Sequence, residues 1–304
     1  MSRRHLLMLV GLAAIWGSSF MFIEIALRDL APATVILLRI VSGMLTLAVY
    51  IRLAGHRLAS LRPYAGALAV LGVVNTALPF FLIAWGQQYI DSGLAAILNA
   101  SAPLFTAVFA FSLDRSERVT GLRLVGVLLG FAGVVLLVGF ELSGGERAVV
   151  GGLAVVAASA CYGIGGLYAG RRFNGLSPAL VAFGTLLWAT LFTLPLGVAQ
   201  AGVPGWESLA AVLYLGLAAT GAAYLLYFGL IAGAGASKAV LVTYLVPALA
   251  LVYGAVLLDE QVTALALAGF ALVLAGVALG TGVARTNGAR GRAAAEAPAA
   301  SVPR

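Results

Sequence analysis

Long apolar stretches separated by short polar breaks organise this chain, and their lengths set the element type. A run of about 20 apolar residues is long enough for a membrane-crossing helix. Ten such runs are predicted, over residues 6–27, 33–52, 64–86, 92–112, 121–140, 149–170, 177–198, 208–230, 236–257 and 264–283. The breaks carry turn residues: Pro32, Gly55, Pro63, Gly144-Gly145, Asn174-Gly175 with Pro178, and Gly202 to Gly205 with Pro204. Residues 284–304 are Ala, Gly, Arg and Pro without periodicity, which predicts a disordered tail. The pattern predicts an all-α integral membrane protein of ten transmembrane helices.

Composition closes the soluble alternative. Of 304 residues, 62% are hydrophobic and only 10% charged, with a mean hydropathy of +1.07. A water-facing surface needs about 25% charged residues. The net charge of +7 would suggest nucleic-acid binding in a soluble chain, but here the basic residues lie in short loops and act as orientation signals. Fifteen of the eighteen Lys and Arg residues fall on one side of the predicted spans, two (Arg28 and Arg147) on the other, and Arg39 within a span. That bias predicts cytoplasmic termini, and a bacterial-type inner membrane is the expected location. Ser2-Arg3-Arg4 is the basic flank of a retained first span, not an export signal. With one cysteine, Cys161, and histidines only at His5 and His56, no disulfide or metal site is expected. No cofactor and no nucleic-acid partner is expected either; the predicted partners are the lipid bilayer and a small-molecule substrate.

The two halves repeat. Leu94 to Phe105 (LAAILNASAPLF) aligns with Lys238 to Leu249 (KAVLVTYLVPAL), pairing Asn99 with Thr243 and Pro103 with Pro247. Glu117 then meets Glu260, Gly126 meets Gly269 and Gly133 meets Gly276. Upstream, Gly72 meets Gly216, Thr76 meets Thr220, and Trp16-Gly17 meets Tyr162-Gly163. Five spans per unit is an odd number, so the second unit must enter the membrane upside down. The loops agree: Arg115, Arg118 and Arg123 follow the fourth span, whereas Asp259 and Glu260 follow the ninth. Two inverted five-helix units are expected, at residues 5–140 and 149–283. Inverted repeats belong to carriers that alternate access to a central site, and to some channels.

Trp16-Gly17-Ser18-Ser19-Phe20, Arg39, and the blocks from Pro103 to Glu117 and from Pro247 to Glu260 resemble the drug/metabolite transporter superfamily, in its EamA type with two EamA units. The resemblance covers residues 5–283. It implies ten helices, cytoplasmic termini, a central cavity and export of amino acids or other small metabolites. Glu24 departs from it, standing where many members carry a basic residue.

Proline frees the carbonyl four residues earlier, so Pro79, Pro103 and Pro247 predict kinks beside Asn75, Asn99 and Thr243. Freed carbonyls in lipid should face protein or a wet cavity, which makes these three side chains cavity candidates; a kink patched by its own side chain is the alternative. Trp16 and Ser19 share a face of the first span. With Tyr162, Thr220, Tyr224 and Tyr244 they complete the expected substrate cavity. Glu24 and Arg39 flank the Pro32 turn on antiparallel helices, so an ion pair is expected, either structural or acting as a gate. Gly126-xxx-Gly130, Gly166-xxx-Gly170 and Gly276-xxx-Gly280 allow close helix packing, within one chain or across a dimer seam, and a monomer or weak homodimer is expected. An enzyme is not expected, because no base is evident for any intramembrane Ser or Cys. A lipid or drug translocator of the same fold, or a channel, remains the alternative to a metabolite exporter.

Overall fold

The computed structural model describes residues 1–113, 121–140 and 145–280, and among these the secondary structure is helical, with no strand. The charged loop of Arg115, Glu117 and Arg118, and the tail from residue 284, lie outside the described residues. α1 (Arg3–Leu27) starts at Ser2, whose hydroxyl oxygen accepts the His5 N–H at 3.3 Å. α2 (Pro32–Leu53) opens on a proline, where the missing N–H costs nothing. α3 (Leu58–Gly86) stacks a 3-10 turn, a short α segment, a π turn at Val73–Ala77 and a second α segment, Leu78–Gly86. α4 runs Ser92–Asn99, breaks, and resumes as Ala102–Leu113. α5 (Leu122–Phe140), α6 (Glu146–Arg172) and α7 (Pro178–Ala199) are continuous. α8 (Trp206–Ala234) contains a second π turn, Leu217–Ala222. α9 is Val242–Leu257, preceded by the single turn Ala236–Ala239, and α10 is Ala264–Gly280.

Eight of these segments are long and apolar enough to cross a membrane; α9 and α10 are apolar but shorter. The structure divides the predicted 92–112 run at Ala100-Ser101, and it divides the 236–257 run as well. In the latter the break falls at Val240-Leu241, while Pro247, the expected kink, lies inside the continuous α9. Pro103 opens the resumed part of α4, and Pro79 follows the π turn of α3, so these two do sit beside distortions.

The core is apolar, and unlike that of a soluble protein the outer surface is apolar too. Large apolar side chains face outward, Leu53 at 83% and Val256 at 70% exposure, while Ser18, Thr34, Arg39, Thr76, Ser159 and Thr220 are buried. Lipid supplies no hydrophobic drive between helices, so close backbone approach must hold them. The α5–α10 seam uses it most: Gly126 abuts Leu279 and Gly280, and Gly276 abuts Gly130. Two of the three predicted glycine pairs therefore pack within the chain, whereas Gly166 and Gly170 meet no neighbour.

Close contacts also recur along the chain. Gly17 of α1 sits against Leu249 and Ala250 of α9, and Gly163 of α6 sits against Phe105 and Thr106 of α4. Gly216 of α8 meets Arg39 and Ser42 of α2, while Gly72 of α3 meets Thr185 and Trp188 of α7.

Candidate functional site

The π turn of α8 organises the centre of the protein. A π turn holds an extra residue and leaves carbonyls poorly paired. Two of those carbonyls are taken up by side chains. The Thr220 hydroxyl donates to the Leu215 carbonyl at 2.9 Å, and Trp16 of α1 donates its Nε1–H to the Ala219 carbonyl at 3.1 Å. Arg39 of α2 then donates Nε–H to the Thr220 hydroxyl at 3.1 Å. Gly43 and Gly216 make this possible, because any larger residue would hold α2 and α8 apart. The Arg39 guanidinium carbon lies 4.1 Å from the centre of the Phe80 ring, and Tyr162 and Tyr224 are its electrostatic neighbours. Arg39 is only 8% exposed.

The expected Glu24–Arg39 ion pair is not formed: among the described residues the one salt bridge joins Arg28 and Glu207 at 3.6 Å. The reason is helix packing. α2 lies mainly on α7 and α8 and barely touches α1, so the face bearing Arg39 turns away from Glu24. Glu24 Oε2 is buried without a hydrogen-bond partner, and its charged neighbours are Glu260, Asp91 and Arg28.

The other predicted cavity residues divide. Tyr162, Tyr224 and Tyr244 pack on the large buried apolar cluster that contains Phe20, Ile40 and Phe80. Trp16 packs on a second cluster, 5.4 Å from Tyr227 between ring centres. Asn75 sits in the π turn of α3 with its side chain pressed against Gly165 of α6. Asn99 Oδ1 and the Tyr244 hydroxyl are buried and without partners. Ser19 and Thr243 are turned to their own helices: Ser19 donates to the Ile15 carbonyl at 3.1 Å and Thr243 to that of Val240 at 2.8 Å. The carbonyl of Asn99, which Pro103 cannot pair, accepts from Ser159 of α6 at 3.3 Å, so protein meets that need directly.

Sequence reasoning missed four side chains. Phe80 carries the cation, as described. Glu260, in the α9–α10 connection, accepts the Ser92 and Gly93 N–H groups at 2.9 and 3.0 Å and so caps α4 from the opposite half. Asp29 accepts the Gly205 N–H at 2.9 Å and the Ser208 hydroxyl at 2.8 Å, tying the α1–α2 turn to the start of α8. Gln87 donates to the Phe20 carbonyl at 2.9 Å. Only Glu260 had a signal, its match to Glu117, which lies outside the described residues. Beside Glu260, a pocket of about 70 Å³ reaches Asp91. Asp91 lies between α3 and α4, and burial of its carboxyl, together with the Glu260 charge, pushes its pKa up. Among the described residues no group of three or more His, Cys, Asp or Glu side chains is placed to hold a metal ion.

Comparison with known proteins fits this geometry. The profile of the EamA-like transporter family matches twice, over residues 3–139 and 149–281. The chain is 23% identical to the uncharacterized transporter YoaV of Bacillus subtilis, covering 90% of this chain and 95% of that one. It is 29% identical to the uncharacterized inner membrane transporter YedA of Escherichia coli K12, covering 89% and 91%. It is 30% identical to a probable terminal-alkyne amino-acid exporter of Streptantibioticus cattleyicolor, covering 87% and 89%. A solved crystal structure shares the fold at a TM-score of 0.67 and 23% identity, over 93% of this chain and 100% of that one. With both halves matched by one family profile and transporters related along nearly the whole length, this chain belongs to the EamA-like transporter family.

Proposed function

We propose that the protein is a secondary transporter that exports amino acids or related small metabolites by alternating access. The observation that carries the mechanism is the recurrence of interhelical contacts. The pair Gly17–Leu249/Ala250 and the pair Gly163–Phe105/Thr106 are displaced from each other by 144 to 146 residues, and so are Gly216–Arg39 and Gly72–Thr185. The π turns at Val73–Ala77 and Leu217–Ala222 share that displacement. These recurrences support two five-helix units, residues 5–140 and 149–283, of inverted orientation and working as ten spans. Two pseudo-equivalent halves can exchange conformations about a shared centre. The loop charges support cytoplasmic termini in an inner membrane, and the protein works as a monomer or weak homodimer. The exporter from Streptantibioticus cattleyicolor supports the amino-acid class.

Counterflow into proteoliposomes of the purified full chain tests the reading. Vesicles preloaded in turn with alanine, leucine and phenylalanine should draw in the matching labelled amino acid saturably. Uptake that never saturates would indicate a channel, and exchange confined to labelled lipid would indicate a lipid translocator.

A further inference from the structure

The charge at the centre of the protein stands alone. Arginine keeps its proton and offers five N–H donors, and of these only Nε–H is engaged by a hydrogen bond among the described residues. The two terminal nitrogens have none. Phe80 covers one face of the guanidinium without neutralising it, and the side chains that interact with the charge are tyrosines, not carboxylates. A buried cation without a counter-ion is expensive in a low-dielectric setting.

Architecture does not require it. In the recurring contact, α7 meets Gly72 of α3 as α2 meets Gly216 of α8, and the residue in the place of Arg39 is Thr185. That side chain is neutral and simply donates to its own helix, to the Val181 carbonyl at 2.8 Å. The same helix contact therefore forms without a charge.

We propose that the Arg39 guanidinium is the recognition site for a carboxylate on the transported solute, with the hydroxyls of Tyr162 and Tyr224 beside it. This reading rests on the transporter function proposed above and narrows its substrate class. The two free terminal nitrogens form a planar fork that matches the two oxygens of a carboxylate. One positive charge is balanced by one negative charge. A neutral solute would leave Arg39 uncompensated, and a phosphate dianion would leave excess negative charge in the same buried space.

Matched pairs of probes test this: leucine against leucinamide, phenylalanine against phenylalaninamide, and 3-phenylpropionate against 3-phenylpropionamide. Each is measured by counterflow in proteoliposomes and, separately, by thermal stabilisation of the detergent-solubilised full chain. The acids should be exchanged and should stabilise the wild-type protein, and the amides should do so at least about tenfold less well. Arg39→Gln should erase the preference for acids, and Arg39→Lys, which keeps the charge but loses the fork, should restore part of it. The wild-type comparison stands even where a variant fails to fold. Equal exchange of acids and amides would overturn the carboxylate site and leave the transporter reading intact. Acid-selective stabilisation that needs Arg39, without any counterflow, would uphold the site and overturn transport. No response to any acid in either measurement would overturn both.

Discussion

Most buried hydroxyls among the described residues close on their own helix: Ser42 on Leu38, Ser19 on Ile15, Thr185 on Val181. Trp16 and Arg39 differ because their bonds cross from the first half of the chain to one widened turn of the second. Thr220 is the joint, donating to one partner and accepting from another. Thr220→Val keeps the shape and deletes both bonds, and should lower stability by about 1–3 kcal/mol. Thr220→Ser should recover most of it, and scanning fluorimetry in detergent reads both. Asp91 has the opposite character. Its raised pKa means that the folded state binds its proton more tightly than the unfolded state does. The stability this provides is present at acidic pH and lost as pH rises past that pKa. Asp91→Asn should thus raise stability slightly at pH 7, by about a few tenths of a kcal/mol because the carboxyl is only partly buried and solvent screens its charge. The gain should vanish near pH 4; a gain independent of pH would contradict the assigned cause.

At the scale of the element, helix ends are fastened by carboxylates from elsewhere in the chain, Glu260 at α4 and Asp29 at α8. Glu260→Gln retains one acceptor but loses the charge facing the helix N-terminus, and should cost about 1 kcal/mol. That loss is readable as faster hydrogen exchange at Ser92 and Gly93. At Gly276 the α5–α10 seam leaves no room for a side chain, so Gly276→Leu should abolish a monodisperse peak in size-exclusion chromatography, whereas Gly166→Leu should leave it unchanged. The existence of these helices was legible in the chain, because the length of an apolar run alone dictates a span, and the matched Pro, Glu and Gly residues exposed the repeat. What was illegible has a common cause. α3 and α8 are apolar on every side, so nothing in their pattern says which face turns inward. The pairing of Arg39 with Thr220 instead of Glu24 depends on that rotation. The break before α9 was hidden for a related reason, since Val240 and Leu241 are as apolar as their neighbours.

For the whole molecule, the proposed inverted layout makes a topological prediction. In a Cys161→Ala background, cysteines placed at His56 and Gly175 should resist a membrane-impermeant thiol reagent added to intact cells, and one at Gly202 should react. Labelling of His56 and Gly202 positions from the same side would refute opposite orientation of the halves. Cross-half fastening has a second consequence at this scale. Because Glu260 reaches α4 and Trp16 reaches α8, neither half presents its polar groups satisfied on its own. Co-expressed halves should therefore purify together, and either half alone should aggregate.

The two π turns also set a phase. Each inserts a residue into a helix, and a single residue corresponds to about 100° of rotation. Everything after Ala222, including Tyr224 and Tyr227, is therefore aimed by an insertion and not by the regular winding of the helix. Deleting Ala218 would let α8 close into an ordinary helix that still spans the same length and still buries apolar surface. It would swing both tyrosines and Thr220 away from Arg39 together, leaving a well-folded membrane protein whose centre is blind to its solute. In this fold, one residue of slack in the backbone works as a setting screw for specificity.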